Sequence, residues 1–141
     1  MTAKDYLRRI RGMELDLKTI EHEIVEIETA LTHITPSYQT DGWVQSSPEA
    51  DKVTNGVCKL MAKKREFEAA WDALIDERDR AEKIIYAMKD RTDATILWWR
   101  YIKASRWELV AVKTNLDMRW VYRLHGRALA EFEKEYASKS Q

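Results

Sequence analysis

The chain has 141 residues and a formal net charge of zero, with 34% charged and 45% hydrophobic residues. That length is enough for one domain or two small ones, and a neutral chain has no overall attraction for an anionic partner. Two prolines and four glycines among abundant Ala, Glu, Lys and Leu are typical of an all-α protein. The single cysteine, Cys58, excludes an internal disulfide and fits a reducing compartment.

No secretory signal or membrane span is evident in the sequence. The first ten residues contain no apolar run, and no window approaches 18 consecutive apolar residues. We therefore expect a soluble, cytoplasmic protein with no membrane partner. Charge is unevenly distributed: residues 94–141 hold nine Lys and Arg against five Asp and Glu, whereas residues 1–93 are net negative. A basic end on a neutral chain is a weak indication of nucleic-acid binding.

The first segment has a heptad pattern that predicts a helix over about residues 3–35. Thr2 is the expected N-cap, and Pro36 disfavours helical geometry in the residue before it. Apolar residues alternate at spacings of four and three and form one narrow seam. The seam consists of Tyr6, Ile10, Met13, Leu17, Ile20, Ile24, Ile27, Leu31 and Ile34.

Residues 36–47 lack a helical period and predict a polar loop, after which a second helix runs over about 48–90. Ser47 is its expected N-cap, with Pro48 at the first helical position. Its heptad positions are apolar except for Lys64 and Arg78: Val53, Val57, Leu60, Lys64, Phe67, Trp71, Leu74, Arg78, Ala81, Ile85 and Met88. A loop of this length allows a long antiparallel, coiled-coil-like hairpin over residues 1–91. Because a hairpin of two helices buries only a few layers of side chains, we expect the seam to pack also against the C-terminal segment or a second copy of the chain. A homodimer is therefore an open alternative.

The last third predicts three more helices. The first covers about residues 94–103. Ser105 and Glu108 have capping-box spacing, so a short helix is expected to begin there. Asn115 suits the left-handed end of that helix, Leu116 is expected to fill the core, and Asp117 is the expected N-cap of the last helix.

The last helix has an apolar face, formed by Val121, Leu124, Ala128 and Phe132. Arg119, Arg123 and Arg127 recur every four residues on another face. A short helix, a tight turn and a longer helix with a basic stripe predict a helix-turn-helix over residues 92–137, followed by a tail at 138–141. Arginines at the start of such a helix bind guanine edges and phosphates in the major groove. An arginine stripe is also typical of a simple solvated face.

Residues 97–129, LWWRYIKASRWELVAVKTNLDMRWVYRLHGRAL, resemble the helix-turn-helix of sigma-factor region 4. The whole chain resembles the small phage-associated transcriptional regulators of the RinA/ArpU-like group. The matching elements are VQSSP at 44–48 with DK at 51–52, RYI at 100–102, WE at 107–108 and VYRLHGRAL at 121–129.

The resemblance implies sequence-specific binding of double-stranded DNA and control of phage or prophage genes, often late genes, in the cytoplasm of a bacterial host cell. The contact residues that it implies lie at the start of the last helix, and Arg127 joins them from the arginine stripe. The candidate DNA-binding set is therefore Met118, Arg119, Trp120, Tyr122, Arg123 and Arg127. Two departures from the family pattern stand out: Asp117 replaces the usual Ser or Thr cap, and the set is unusually apolar.

The sequence gives little indication of catalysis. It has three histidines and one cysteine without ligand spacing, and no phosphate-binding glycine motif, so we expect no enzyme activity, metal or cofactor. The alternative function is a helical protein-interaction module that binds RNA polymerase or another phage protein without reading DNA. A terminase small subunit is a lesser variant of the DNA-binding class.

Overall fold

A computed structural model describes residues 1–33 and 48–139, except for the side chains of residues 48 and 49. Over these residues the protein is all-α and contains no strand. None of its helices is long and apolar enough to cross a bilayer within the described ranges. The helices are α1 (Ala3–Thr32), α2 (Pro48–Ala87), α3 (Arg91–Leu97), α4 (Trp107–Thr114) and α5 (Met118–Lys139), with a π-helical segment (Trp98–Ile102) directly after α3.

The two long helices are each about three residues shorter at the C-terminal end than predicted. α1 begins as expected, since the Asp5 amide donates to Thr2 Oγ1 at 3.1 Å. α2 begins at Pro48 and ends at Ala87, where the Met88 amide donates to the Ile85 carbonyl at 3.1 Å in a tighter turn. The predicted seam residue Ile34, the loop at 36–47 and the Ser47 cap lie outside the described residues.

The described chain forms two compact units, and both long helices contribute to each of them. Unit 1 contains residues 1–16 and 72–141, and unit 2 contains residues 17–71. The C-terminal segment therefore belongs to the same compact unit as the start of α1 and the end of α2.

Unit 1 has a core that buries most of the seam residues of the long helices, although Met13 and Arg78 are only half-buried. Leu7 and Ile10 of α1, Leu74 and Ile85 of α2, and Phe132 of α5 are all almost inaccessible to solvent. The ring of Tyr6 lies 6.5 Å from that of Phe132 and 5.1 Å from that of Tyr136, and its hydroxyl donates to the Glu77 carbonyl at 3.0 Å. These contacts fix α5 against the long helices.

Unit 2 is built from the rest of α1 and the start of α2, which run antiparallel. Lys63 Nζ lies 2.5 Å from Glu23 Oε2, and Lys64 Nζ lies 3.6 Å from Glu28 Oε1. Here the seam is only partly covered. Several of its residues are half-buried, namely Ile24, Ile27, Leu31, Leu60 and Phe67.

The third helix differs from its predicted range of 94–103. α3 begins three residues earlier, because Asp90 Oδ1 accepts from the Asp93 amide at 3.0 Å and caps the helix. Its predicted second half has π-helical hydrogen bonding, in which the Lys103 amide donates to the Trp98 carbonyl at 3.0 Å. The chain then turns at Ala104, whose φ of 54° is rare for a residue with a side chain.

Candidate nucleic-acid interface

The start of α4 is not the predicted capping box. The helix begins at Trp107, and its N-cap is Arg106, which has no side-chain capping hydrogen bond. Ser105 is instead buried, and its carbonyl accepts from Arg100 Nη1 at 3.1 Å. The Ser105–Glu108 prediction was wrong because the spacing alone does not show that the serine faces the interior.

The turn between α4 and α5 has the residues in the roles that the sequence predicts. Asn115 adopts the left-handed conformation, with φ 58° and ψ 37°. The Leu116 amide donates to the Ala111 carbonyl at 3.1 Å, as in a helix end closed by a left-handed residue. Asp117 caps α5, since its Oδ1 accepts from the Trp120 amide at 2.9 Å. The turn therefore fixes where α5 begins.

A small hydrophobic cluster supports this turn. Ile96 of α3, Val110 and Ala111 of α4, and Val121 of α5 form its buried centre. Partly buried side chains pack around it: Trp99, Trp107, Leu116, Met118 and Leu124. The cluster joins three helices, so it fixes the rotation of α5 about its own axis.

The apolar face predicted for α5 is the face that the structure buries. Val121, Ala128 and Phe132 are fully buried, and Leu124 is half-buried. Burial of this face leaves other positions of the first two turns in solvent. Arg119 and Arg123 are exposed, and Trp120 and Tyr122 are 48% and 51% exposed.

Two residues of the predicted contact set have other partners. Met118 packs against the hydrophobic cluster. Arg127 Nε and Nη2 each donate to the buried carboxylate of Asp93 at 2.9 Å, and Nη2 also donates to Asp90 Oδ2 at 3.0 Å. The side chains that remain open to a ligand at the start of α5 are Arg119, Trp120, Tyr122 and Arg123.

Three of these four side chains, Trp120, Tyr122 and Arg123, are partly ordered by each other or by α4. The Arg123 guanidinium lies over the Trp120 ring, 5.0 Å from its centroid. The Tyr122 ring packs edge-on against Trp107, with 5.3 Å between centroids. An arginine stacked on an aromatic ring is partly pre-ordered, so less side-chain entropy is lost on binding.

His125, to which the sequence analysis assigned no role beyond the VYRLHGRAL match, packs against Trp107, the same ring that Tyr122 contacts. Its Nε2 is 2.7 Å from the Tyr101 hydroxyl, and its ring packs edge-on against Trp107 at 4.7 Å. Burial, followed by the charges of Lys4, Arg100 and Arg8, lowers the His125 pKa from 6.5 to about 4. The imidazole is therefore neutral at physiological pH.

The basic face of α1 is the feature that the sequence analysis missed. Lys4, Arg8 and Arg11 recur at spacings of four and three, and all three line a cleft that also contains His125. That spacing was visible in the sequence, but the helix was interpreted as scaffold. The described residues contain no group of three or more His, Cys, Asp or Glu side chains able to hold a metal ion.

Comparison of the chain with family models, with curated proteins and with solved structures finds no match.

Proposed function

We propose that this protein is a sequence-specific DNA-binding transcriptional regulator that inserts the first turns of α5 into the major groove. The observation that carries the proposal is the exposed group of Arg119, Trp120, Tyr122 and Arg123 on a helix whose start and rotation are fixed. An α-helix fits the major groove of B-DNA, where an arginine forms two hydrogen bonds with guanine O6 and N7. The resemblance to phage-associated regulators supports phage or prophage genes, including late genes, as its targets.

The roles within this group follow from chemistry. Arg119 and Arg123 read guanine edges or bind phosphates, and Trp120 and Tyr122 contact thymine methyl groups and sugars. Met118 and Arg127 are left out of the contact set that we propose, because their side chains already pack against the core or pair with Asp93. The acidic cap Asp117 lies beside this surface and repels phosphate. We therefore expect the DNA backbone to lie along the side of the surface that is farther from Asp117.

The test uses a DNA duplex selected from a random-sequence pool by the purified full-length protein. Changing Arg119→Ala together with Arg123→Ala is expected to abolish specific binding in a gel-shift titration while leaving the helical circular-dichroism signal intact. Log affinity is expected to decrease less steeply with log salt concentration, with a slope smaller in magnitude by about one for each removed arginine that contacts a phosphate. Lys52→Ala with Arg65→Ala is the matched control, because both cations are exposed on α2. Unchanged affinity in the Arg119/Arg123 variant would reject the assignment.

A protein-interaction module is the second candidate, and it is favoured by exposed apolar side chains on α4. Val112 is 72% exposed and Leu109 is 42% exposed. Under this alternative, α4 and α5 bind RNA polymerase or another phage protein. Elution of the full-length protein from heparin only at high salt, with selection of a defined duplex, favours the DNA-binding function. Early elution with no duplex selected favours the module.

We further propose that unit 2 pairs with a second copy of the chain. Its seam is half-buried, and Val25, Val53, Val57 and Met61 are between 39% and 56% exposed. Helices of a second copy, packed against these residues as the third and fourth helices of a bundle, cover the apolar side chains that two helices leave exposed. Sedimentation velocity is expected to give a dimer that Val57→Asp with Met61→Asp converts to a monomer, and a monomeric unmodified protein would contradict the pairing.

A further inference from the structure

A cleft of about 400 Å³ lies in unit 1, beside the start of α1. It is lined by Lys4, Arg8, Arg11 and Gly12 of α1, together with Arg100, Tyr101, Trp107 and His125. Four of the eight lining residues are cationic, and none carries a carboxylate.

The charges of Asp5 and Glu108 act on Arg8 and Arg100, but the three α1 cations of this cleft form no direct salt bridge with the described residues. Over residues 1–33 and 48–139, no salt bridge involves Lys4, Arg8 or Arg11, whereas Arg9 of the same helix pairs with Glu77 at 2.5 Å. Arg11 Nε is buried without a hydrogen-bond partner in this part of the chain. Because like charges repel, gathering these groups in one concave site costs free energy that a bound anion offsets.

Arg100 is held in place for such a ligand. Its Nη1 donates to the Ser105 carbonyl at 3.1 Å, and its guanidinium lies 4.3 Å from the centroid of the Trp107 ring. Burial, followed by the charge of Arg11, lowers its pKa. The π-helical segment, Trp98–Ile102, carries this arginine to the cleft.

We propose that this cleft binds a phosphate group. Guanidinium groups form paired, charge-assisted hydrogen bonds with phosphate oxygens, and several arginines around one concave site match a tetrahedral phosphate anion. The phosphate belongs either to a small free anion or to a DNA backbone that continues past Tyr122, which contacts the cleft residue Trp107. Binding of the free anion does not depend on the proposed DNA-binding function.

The first arm of the test uses full-length protein titrated with inorganic phosphate and with pyrophosphate at constant ionic strength. The readout is the ring resonance of His125, one of three histidines in the chain, assigned with His125→Gln. We expect saturable shifts, and at least tenfold weaker binding in Arg8→Gln with Arg11→Gln. Lys52→Gln with Arg65→Gln is expected to bind as the unmodified protein does. Shifts that do not saturate with either anion, or equal loss in the control variant, would overturn the proposal.

A second variant keeps the test decisive if the double variant unfolds. Lys4 is exposed at the first turn of α1, so Lys4→Gln is expected to keep the circular-dichroism spectrum and to weaken pyrophosphate binding severalfold. Unchanged pyrophosphate affinity in a folded Lys4→Gln variant would count against the cleft.

The second arm identifies the source of the phosphate and uses the selected duplex. If the cleft binds DNA backbone, pyrophosphate competes with the duplex, and the Arg8/Arg11 variant loses both ligands. If it binds a free anion, the same variant loses pyrophosphate and keeps its duplex affinity. In both cases Arg119→Ala with Arg123→Ala retains pyrophosphate binding, so a failure of the proposed function is distinguishable from a failure of the cleft.

Discussion

Arg127 of α5 is anchored to Asp93 of α3 by two parallel hydrogen bonds, each 2.9 Å long. Asp93 is 1% exposed, and Arg127 supplies the hydrogen bonds and the opposite charge that a buried carboxylate requires. The two residues are 34 positions apart in the sequence, and their pairing holds α5 against α3.

We expect removal of the Arg127 side chain to lower the stability of the protein, with a smaller effect on its affinity for DNA. Arg127→Ala leaves the Asp93 carboxylate buried and unpaired, so we expect the melting temperature to fall by roughly 5 °C. Arg119→Ala, which removes an exposed arginine of the same helix, is the control and is expected to leave the melting temperature nearly unchanged. The double variant with Asp93→Ala is expected to recover part of the loss in thermal melts, and equal melting temperatures for both single variants would contradict this role.

The stability of the protein is expected to fall with acid partly through His125. The folded-state pKa is about 4, below the ordinary value of 6.5, so as the pH falls between these values the unfolded chain takes up a proton that the folded chain does not. The contribution is present above pH 6.5 and is lost as the pH falls towards 4. Since the ring is only partly buried, we expect it to amount to about 1–2 kcal/mol.

Urea unfolding between pH 7 and pH 4.5 measures this effect. His125→Gln is expected to be less sensitive to pH over that range than the unmodified protein. His22→Gln is the matched control, because His22 is exposed on α1. Identical pH dependence of unfolding in the His125→Gln variant and the unmodified protein would show that the imidazole does not contribute.

Substitutions at Asn115 test whether its left-handed backbone conformation affects the stability of the protein. At φ 58°, an Ala side chain is strained, so Asn115→Ala is expected to lower the free energy of unfolding by about 1 kcal/mol. Asn115→Gly is expected to stay within about 0.5 kcal/mol of the unmodified protein. Equal losses for the two substitutions, measured by urea unfolding, would mean that the asparagine side chain rather than its backbone matters.

Gly126 is exposed within α5, and a Cβ placed there meets no atom within 4 Å. Gly126→Ala is therefore expected to raise the free energy of unfolding by about 0.5–1 kcal/mol through helix propensity. At Gly56 of α2, by contrast, an added Cβ lies 2.6 Å from Leu31 Cδ2. We expect Gly56→Ala to gain less in the same urea titration, and a larger gain at Gly56 would contradict this reasoning.

Several local features could be read from the sequence because they depend on residues within about one helical turn. The Thr2 and Asp117 caps, the left-handed Asn115 and the buried face through Val121 and Phe132 are where the patterns predict them. The prediction of a Ser105 cap was wrong because its outcome depends on residues beyond one helical turn. Its spacing was correct, but the burial of Ser105, whose amide donates to the Trp99 carbonyl at 3.0 Å, depends on packing that no local pattern contains.

By itself, the amino-acid order determined the all-helical class, the start and the apolar face of α5 and the heptad seams, because these follow from periodicity and capping along a single helix. Only the tertiary structure decided how far each seam is covered, that Arg127 is held by Asp93, and that Lys4 and Arg8 meet Arg100 and His125 in one cleft. Each of these depends on side chains from different helices, and their approach is set by the packing of the whole unit rather than by any local pattern.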